Sequence, residues 1–316
     1  MMSPSGFLAQ MLQFAVALAA APLLTGWVNQ CRAWMQNKQA PSLLQPYRLL
    51  YKLFHKEPVA AESASLLFRA APYIVFGCMA LACGIIPALS TDLPLAPAAD
   101  AIALVGLFAL ARVFISLAAM DIGTAFGTLG ARREMLIGFL AEPALLMALF
   151  SASLITNSTS LAAIVHKIGH SHFEIYPSMA FAGVAFTIVS LAENARVPVD
   201  NPATHLELTM VHEALILEYS ARHLALIEWA ASLKLFAYSC IGLALFFPWG
   251  VAEVNAPLAT LYSVPALAAK LAIGGFLLAL IETVSAKMRI FRVPEFLAAA
   301  FVLAVIGLLV HGLLGA

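Results

Sequence analysis

The sequence predicts an all-α integral membrane protein of about eight transmembrane helices, with amphipathic helices on the cytoplasmic side and both termini periplasmic. Three observations carry this. Hydrophobic residues make up 62% of the 316 positions and charged residues 11%, where a soluble globular chain has roughly half and about a quarter. Apolar runs of about 20 residues, the length that crosses hydrocarbon, recur along the whole chain. The basic residues collect in alternate connections between those runs, as they do when one side faces the cytoplasm.

The runs lie near 7–28, 67–90, 100–121, 135–156, 175–192, 225–248, 258–282 and 295–315. The fifth is the shortest. No Lys or Arg precedes the first, which is also longer than a signal-peptide core, so it reads as a retained helix. The first connection carries Arg32, Lys38, Arg48, Lys52, Lys56 and, at its far edge, Arg69. The third carries Arg132 and Arg133, the fifth Arg196 and Arg222, and the seventh Lys287, Arg289 and Arg292. The intervening connections hold Asp92, Asp100, Glu174 and Glu253, with Lys167 their one base. One eight-span arrangement therefore satisfies the charge rule at every connection.

Within the first connection, Leu43, Tyr47, Leu50, Tyr51 and Phe54 recur at helical spacing while Arg48, Lys52, His55 and Lys56 take other faces. That pattern predicts an interfacial or partner-docking helix ending near Pro58. No internal repeat or domain boundary is visible, so residues 1–316 form a single polytopic domain.

Composition also excludes classes of function. Lys plus Arg equals Asp plus Glu at 17 each, which offers no basic body to nucleic acid. Cys31, Cys78, Cys83 and Cys240 form no C-x-x-C pair, which argues against zinc or an iron-sulphur cluster on this chain. His166, His170 and His172 near Glu174 read more simply as a polar loop than as a metal site. His212-Glu213 does not continue as a zinc-protease motif, because position 216 is Ile. The glycine-rich stretch 123–130 lacks the Lys-Ser/Thr ending of a phosphate loop.

The chemistry concentrates in residues 193–234. Glu193, Arg196, Asp200, Glu207, Glu213, Glu218, Arg222, Glu228 and Lys234 crowd a stretch that runs from one span into the next. Further ionisable residues sit inside or beside spans: Arg112, Asp121, Glu142 next to Pro143, Lys270 and Glu282. Charge near lipid is costly unless paired or hydrated, and it marks ion paths. Glu142, Glu193, Glu213, Glu218 and Glu228 are the expected proton carriers or electrostatic triggers. Arg112, Arg196, Arg222 and Lys234 are the expected counter-charges, and Asp200 and Glu207 the expected loop-structuring acids. On residues alone, a secondary transporter fits almost as well as a subunit of a complex.

A resemblance narrows the reading. ENARVPVDNPATHLELTMVHEALILEYSARHLALIEWAASLK at 193–234 resembles the membrane subunit of formate hydrogenlyase and related energy-converting [NiFe] hydrogenases, in the respiratory complex I subunit 1 family. PSLLQPYRLLYKLFHKE at 41–57, LLFRAAPYIVFG at 66–77, DIGTAFGTLGARREMLIGFLAEPALL at 121–146 and IETVSAKMRIFRVPEFL at 281–297 extend the likeness in order. Leu49, Arg133 and Ala221 depart from the family's usual acid, small polar residue and glycine.

The resemblance implies a non-catalytic anchor in a bacterial inner membrane, coupling redox chemistry on its partners to proton movement. Those partners would be the hydrogenase large and small subunits, an antiporter-like membrane subunit, and formate dehydrogenase and ferredoxin-like subunits. The [NiFe] centre and iron-sulphur clusters would sit on them, with no cofactor on this chain. The alternatives are a quinone-reactive complex I-like subunit and an independent ion-coupled transporter.

Overall fold

The computed structural model describes residues 4–61, 63–91, 93–170, 176–200, 210–252 and 257–314. Eight helices occupy the eight apolar runs: α1 (Pro4–Met35), α3 (Leu66–Ile85), α4 (Ala101–Asp121), α5 (Ala125–Thr156), α7 (Pro177–Glu193), α9 (Ala221–Phe246), α10 (Pro257–Val284) and α11 (Val293–Leu314). Between them lie the short helices α2 (Gln45–Phe54), α6 (Leu161–His170) and α8 (His212–Ile216). Seven of the eight are long and apolar enough to cross a bilayer, and α7 is the shorter eighth. At about 1.5 Å per residue, the 17 residues of α7 reach roughly 25 Å, a little less than the hydrocarbon core of about 30 Å.

Helix α9 fills the middle of the bundle, against α1 and α3, and α4 joins α3 to α5. At one flank α5, α7 and α11 pack together, and at the other α10 lies on α1. The consecutive helices α10 and α11 thus stand on opposite flanks, joined by residues 285–292. Small residues at the seams, such as Ala71, Ala111, Ala144, Ala185 and Ala230, are fully enclosed, which lets helices approach closely where no hydrophobic force drives them together.

Odd-numbered connections bond to one another and to the adjoining helix ends. Ser65 N–H donates to Asp121, Val59 N–H to Ser220 Oγ, Arg133 to the Met210 carbonyl, and Met288 N–H to the Pro198 carbonyl. Even-numbered connections do the same. Ala101 N–H donates to Thr159, Leu161 N–H to Ala99, and Thr91 N–H to Ala252. Each set therefore gathers at one end of the bundle, as alternation of eight spans requires.

Three expectations are corrected in detail. Arg132 and Arg133 lie on α5 rather than in a connection, because Thr124 accepts the Gly127 N–H and starts the helix at Ala125. Arg32 lies in the last turn of α1, which runs on to Met35, where a cation complements the helix dipole. In the first connection, Pro46 sits in the first turn of α2, where its missing N–H costs nothing. The buried stripe of α2 is Leu50 and Leu53 against Ala225, not Tyr51, which is 69% exposed.

Candidate functional site: a buried ion cluster beside a polar cavity

Arg112 occupies the interior of α4, a helix apolar on every face, and its side chain is buried. A guanidinium there is tolerable only with counter-charges, and three converge on it. Its Nη1 donates to Glu142 of α5 and its Nη2 to both carboxylate oxygens of Glu193 at the end of α7. Its Nε lies 3.4 Å from Glu134 Oε1, also of α5, without making a hydrogen bond. Lys234 of α9 completes the cluster, its Nζ 2.8 Å from Glu193 Oε2. Four helices thus contribute three carboxylates and two cations, so charge balance in the apolar interior is reached with one added proton.

Glycine makes room for this arrangement. Gly138 lies on α5 between Glu134 and Glu142, and a Cβ there would overlap the Arg112 guanidinium and Cδ. One turn along α4, Phe108 stacks on Tyr238 at 4.9 Å, with Phe186 beside it. This aromatic layer seals the cluster from the even-connection end of the bundle. Toward the other end, Glu193 also faces a cavity of about 200 Å³. The cavity is lined by Arg196, Asp200, His212, Glu213, Glu228 and Lys234 among others, with space for several waters at roughly 30 Å³ each.

The walls of the cavity are fixed by bonds to backbone and by a second ion cluster. Asp200 is buried and accepts the His212 N–H at 3.2 Å. Glu282 of α10, itself buried, accepts from Arg196 Nη1 at 3.1 Å and lies 3.5 Å from Arg32 of α1. Tyr219 stacks on Phe68 at 4.0 Å and donates to the Phe68 carbonyl, tying the fifth connection to α3. Burial and the Asp121 carboxylate push the Tyr219 phenol well above its ordinary range, so it stays a donor.

Of the residues singled out by sequence, Arg112, Glu142, Glu193 and Lys234 meet in the cluster, and Arg196, Asp200, Glu213 and Glu228 line the cavity. Arg196 takes Glu282 of α10 as a counter-ion, from outside the 193–234 stretch. Glu218 and Arg222 are exposed and line neither. Glu207, His172 and Glu174 lie outside the described residues. Lys270 is spent on the Phe247 and Trp249 carbonyls at the end of α9, and Asp121 on the Ser65 N–H. The four cysteines are free and buried, and among the described residues no three metal-binding side chains gather.

Glu134 was missed. It stands beside Arg132 and Arg133 and read as connection, whereas its spacing from Gly138 and Glu142 places all three along one side of α5.

The comparisons with known proteins agree with this architecture. Residues 8–312 match the NADH dehydrogenase family. Formate hydrogenlyase subunit 4 of Escherichia coli K12 is 30% identical over 291 residues, covering 92% of this chain and 94% of that one. Hydrogenase-4 component C of the same organism is 33% identical over 241 residues, covering 76% and 75%. Among solved structures, a chain of the membrane-bound sulfane sulfur reductase, an archaeal respiratory membrane complex, superposes with a TM-score of 0.82 over 96% of this chain and 98% of that one, at 22% identity, and so shares the fold. The chain belongs to the NADH dehydrogenase family, as a multi-pass inner-membrane protein of the complex I subunit 1 type that works within a larger membrane complex.

Proposed function

We propose that this chain is the membrane anchor and proton-coupling subunit of a formate-linked, hydrogen-evolving [NiFe] hydrogenase complex, with the odd connections and their basic residues on the cytoplasmic side. The observation that carries the coupling role is the charge count around Arg112: three carboxylates against two cations, beside a polar cavity. The formate link rests on the likeness to formate hydrogenlyase subunit 4 over nearly the whole of both chains.

Formate oxidation releases two electrons, and two protons take them up as hydrogen; both reactions belong to partner subunits. On this chain, Glu213 and Glu228 take protons from the aqueous side through waters of the cavity, and Glu193 carries one on within the Arg112 cluster. Glu142 is the next station, because its side chain is 30% exposed at the flank of the bundle while Glu193 is enclosed. Arg112 holds the excess carboxylate charge and so sets how readily a proton enters. Charge changes on a docked partner reach the cluster through the cavity wall, where Asp200 and Arg196 are fixed.

A quinone-reactive role is less well served. A cavity of about 200 Å³ walled by Glu193, Arg196, Asp200, Glu213, Glu228 and Lys234 suits water better than an apolar quinone ring. An independent transporter would be expected to have unwound or broken spans, whereas α5 continues through Pro143 without interruption.

The test is purification of the complex through this chain, then reconstitution into vesicles with a pH-sensitive dye. Recovery of hydrogenase large and small subunits, formate-dependent hydrogen evolution and an accompanying pH change are expected. Glu193→Gln and Glu142→Gln should keep hydrogen evolution within about twofold under uncoupled conditions and abolish the pH change. Full proton movement in Glu142→Gln, or recovery of the chain without hydrogenase partners, would overturn the proposal.

A further inference from the structure

A second cavity, of about 630 Å³, lies between the end of α1, the chain that leads into α2, and the end of α10. Its rim is polar, and Gln36, Lys38, Gln39, Ser42 and Gln45 on it are exposed. Gly26 of α1 fixes its width, because the Leu43 carbonyl crosses the helix there in contact and a Cβ would collide with it. A polar space of this size holds water, at roughly 30 Å³ for each molecule.

The two cavities share a wall. Asn29 of α1 lines both. From Asn29 the wall continues as a chain of contacts. Asn29 Oδ1 accepts from Arg32 at 3.4 Å, Arg32 lies 3.5 Å from Glu282, and Glu282 accepts from Arg196 at 3.1 Å. Arg32 and Glu282 line the second cavity and Arg196 the first. The partition is thus built of polar side chains, a surface along which water can pass.

Two oxygens along it lack donors. The Glu282 side chain is 1% exposed, yet its Oε2 makes no hydrogen bond, even with Arg32. Asn194, in the wall of the first cavity, gives its amide to the Ser190 carbonyl at 2.8 Å and leaves Oδ1 without a partner. A buried acceptor left unpaired is costly, and water is its usual partner in a polar cavity. One such oxygen stands on each side of the partition.

We infer that the second cavity is the water inlet of the first. Water enters between α1 and α10, is held by Glu282 Oε2 and Asn194 Oδ1, and passes Asn29 to reach Glu193, Glu213 and Glu228. Arg32 and Arg196 both face Glu282, which holds their side chains in place at the partition. The inlet lies at the edge of the bundle, since α10 packs chiefly on α1. It therefore opens to one side of the fifth connection, which a docked partner would cover. What the water carries rests on the proton-coupling reading; that the cavities are joined does not.

The test is hydroxyl-radical labelling of the purified complex by a brief X-ray pulse just after mixing into oxygen-18 water, read by mass spectrometry. Ile227 and Leu235 line the first cavity and are each 3% exposed, so they report water that has reached it. Both should take up label in the parent complex. Asn29→Leu should cut that labelling by about tenfold, the effect of losing one hydrogen bond of about 1.4 kcal/mol along the path. Asn29→Ser, small and polar, should label like the parent. Ser42→Cys blocked on the folded complex with a bulky methanethiosulfonate should lose labelling and regain it with dithiothreitol. The chain's own four cysteines are buried, and the parent complex treated in the same way should be unaffected. Unlabelled Ile227 and Leu235 in the parent, or full labelling in both Asn29→Leu and the blocked complex, would overturn the inlet. In vesicles the blocked complex should lose the pH change and keep uncoupled hydrogen evolution. Labelling lost with the pH change intact would uphold the inlet and overturn the relay instead.

Discussion

Lys234 and Lys270 both sit on apolar spanning helices, yet they are used in opposite ways. Lys270 donates to the Phe247 and Trp249 carbonyls, where α9 ends. Nearby, Gln13 donates to the Cys83, Gly84 and Ile86 carbonyls at the end of α3. At the other end of the bundle, Lys234 meets the Glu193 carboxylate, which Arg112 also holds. Carbonyls do not titrate, so bonds to them are fixed structure. Carboxylates do, so the Lys234 end can change its protonation within a constant fold. The buried atoms left without a hydrogen bond include Arg112 Nε, Asn194 Oδ1 and Glu282 Oε2, three groups of the titratable end that can rearrange or take up water.

The severest break of this contrast is Arg112→Met. It takes the guanidinium from the buried Glu134 and Glu193 and the part-buried Glu142, leaving Lys234 as the described cation of the cluster, at a cost of about 3–5 kcal/mol for removing one partner of a buried ion network. The complex should accumulate poorly in the membrane and its thermal midpoint should fall. Adding Glu193→Gln should recover part of the loss, because one fewer charge then needs a partner. An Arg112→Met complex as stable as the parent would mean that the acids are already neutral, and the charge count would lose its force.

Gly138→Ala attacks the same cluster by volume alone. Arg112 is pinned by its acids and cannot step aside freely, so overpacking should cost up to about 3 kcal/mol. Proton movement should fall with it. Gln13→Leu is the counterpart at the fixed end. It takes the side-chain donor from the Cys83 carbonyl, while Gly84 keeps Gln10 and Ile86 keeps the Ala88 N–H, and should cost about 1–2 kcal/mol, yet proton movement per hydrogen evolved should be unchanged. A coupling defect in Gln13→Leu would erase the distinction between the two ends.

The same contrast explains what the sequence disclosed. Spans were legible because lipid demands continuous apolar runs and backbone bonds made within each helix, and even the short α7 obeyed this. The cavity residues were legible because Glu193, Arg196, Asp200, Glu213 and Glu228 lie close together in one stretch of sequence. The partners of Arg112 were not, since Glu134, Glu142 and Glu193 come from two other helices and hydropathy does not say which helices touch. Glu134 was hidden by its basic neighbours Arg132 and Arg133, which made the first turns of α5 look like connection. Fixed-end contacts such as Lys270 with α9 were equally hidden, because a lysine in an apolar run looks alike whether it meets a carbonyl or a carboxylate.

The finest test of the comparison pairs the two lysines. Lys270→Met removes a cation from the end of a helix, worth about 0.3–1 kcal/mol, so the thermal midpoint should drop slightly and proton movement should stay at the parent level. Lys234→Met removes one of two cations facing three acids. The cluster must then hold two protons for neutrality instead of one, so its carboxylates stay protonated and cannot release. Hydrogen evolution under uncoupled conditions should persist while vesicle acidification or alkalinisation is lost. Equal effects of the two variants on proton movement would show that the carboxylate partner of Lys234 does nothing that a carbonyl could not, and the relay would have to be sought elsewhere.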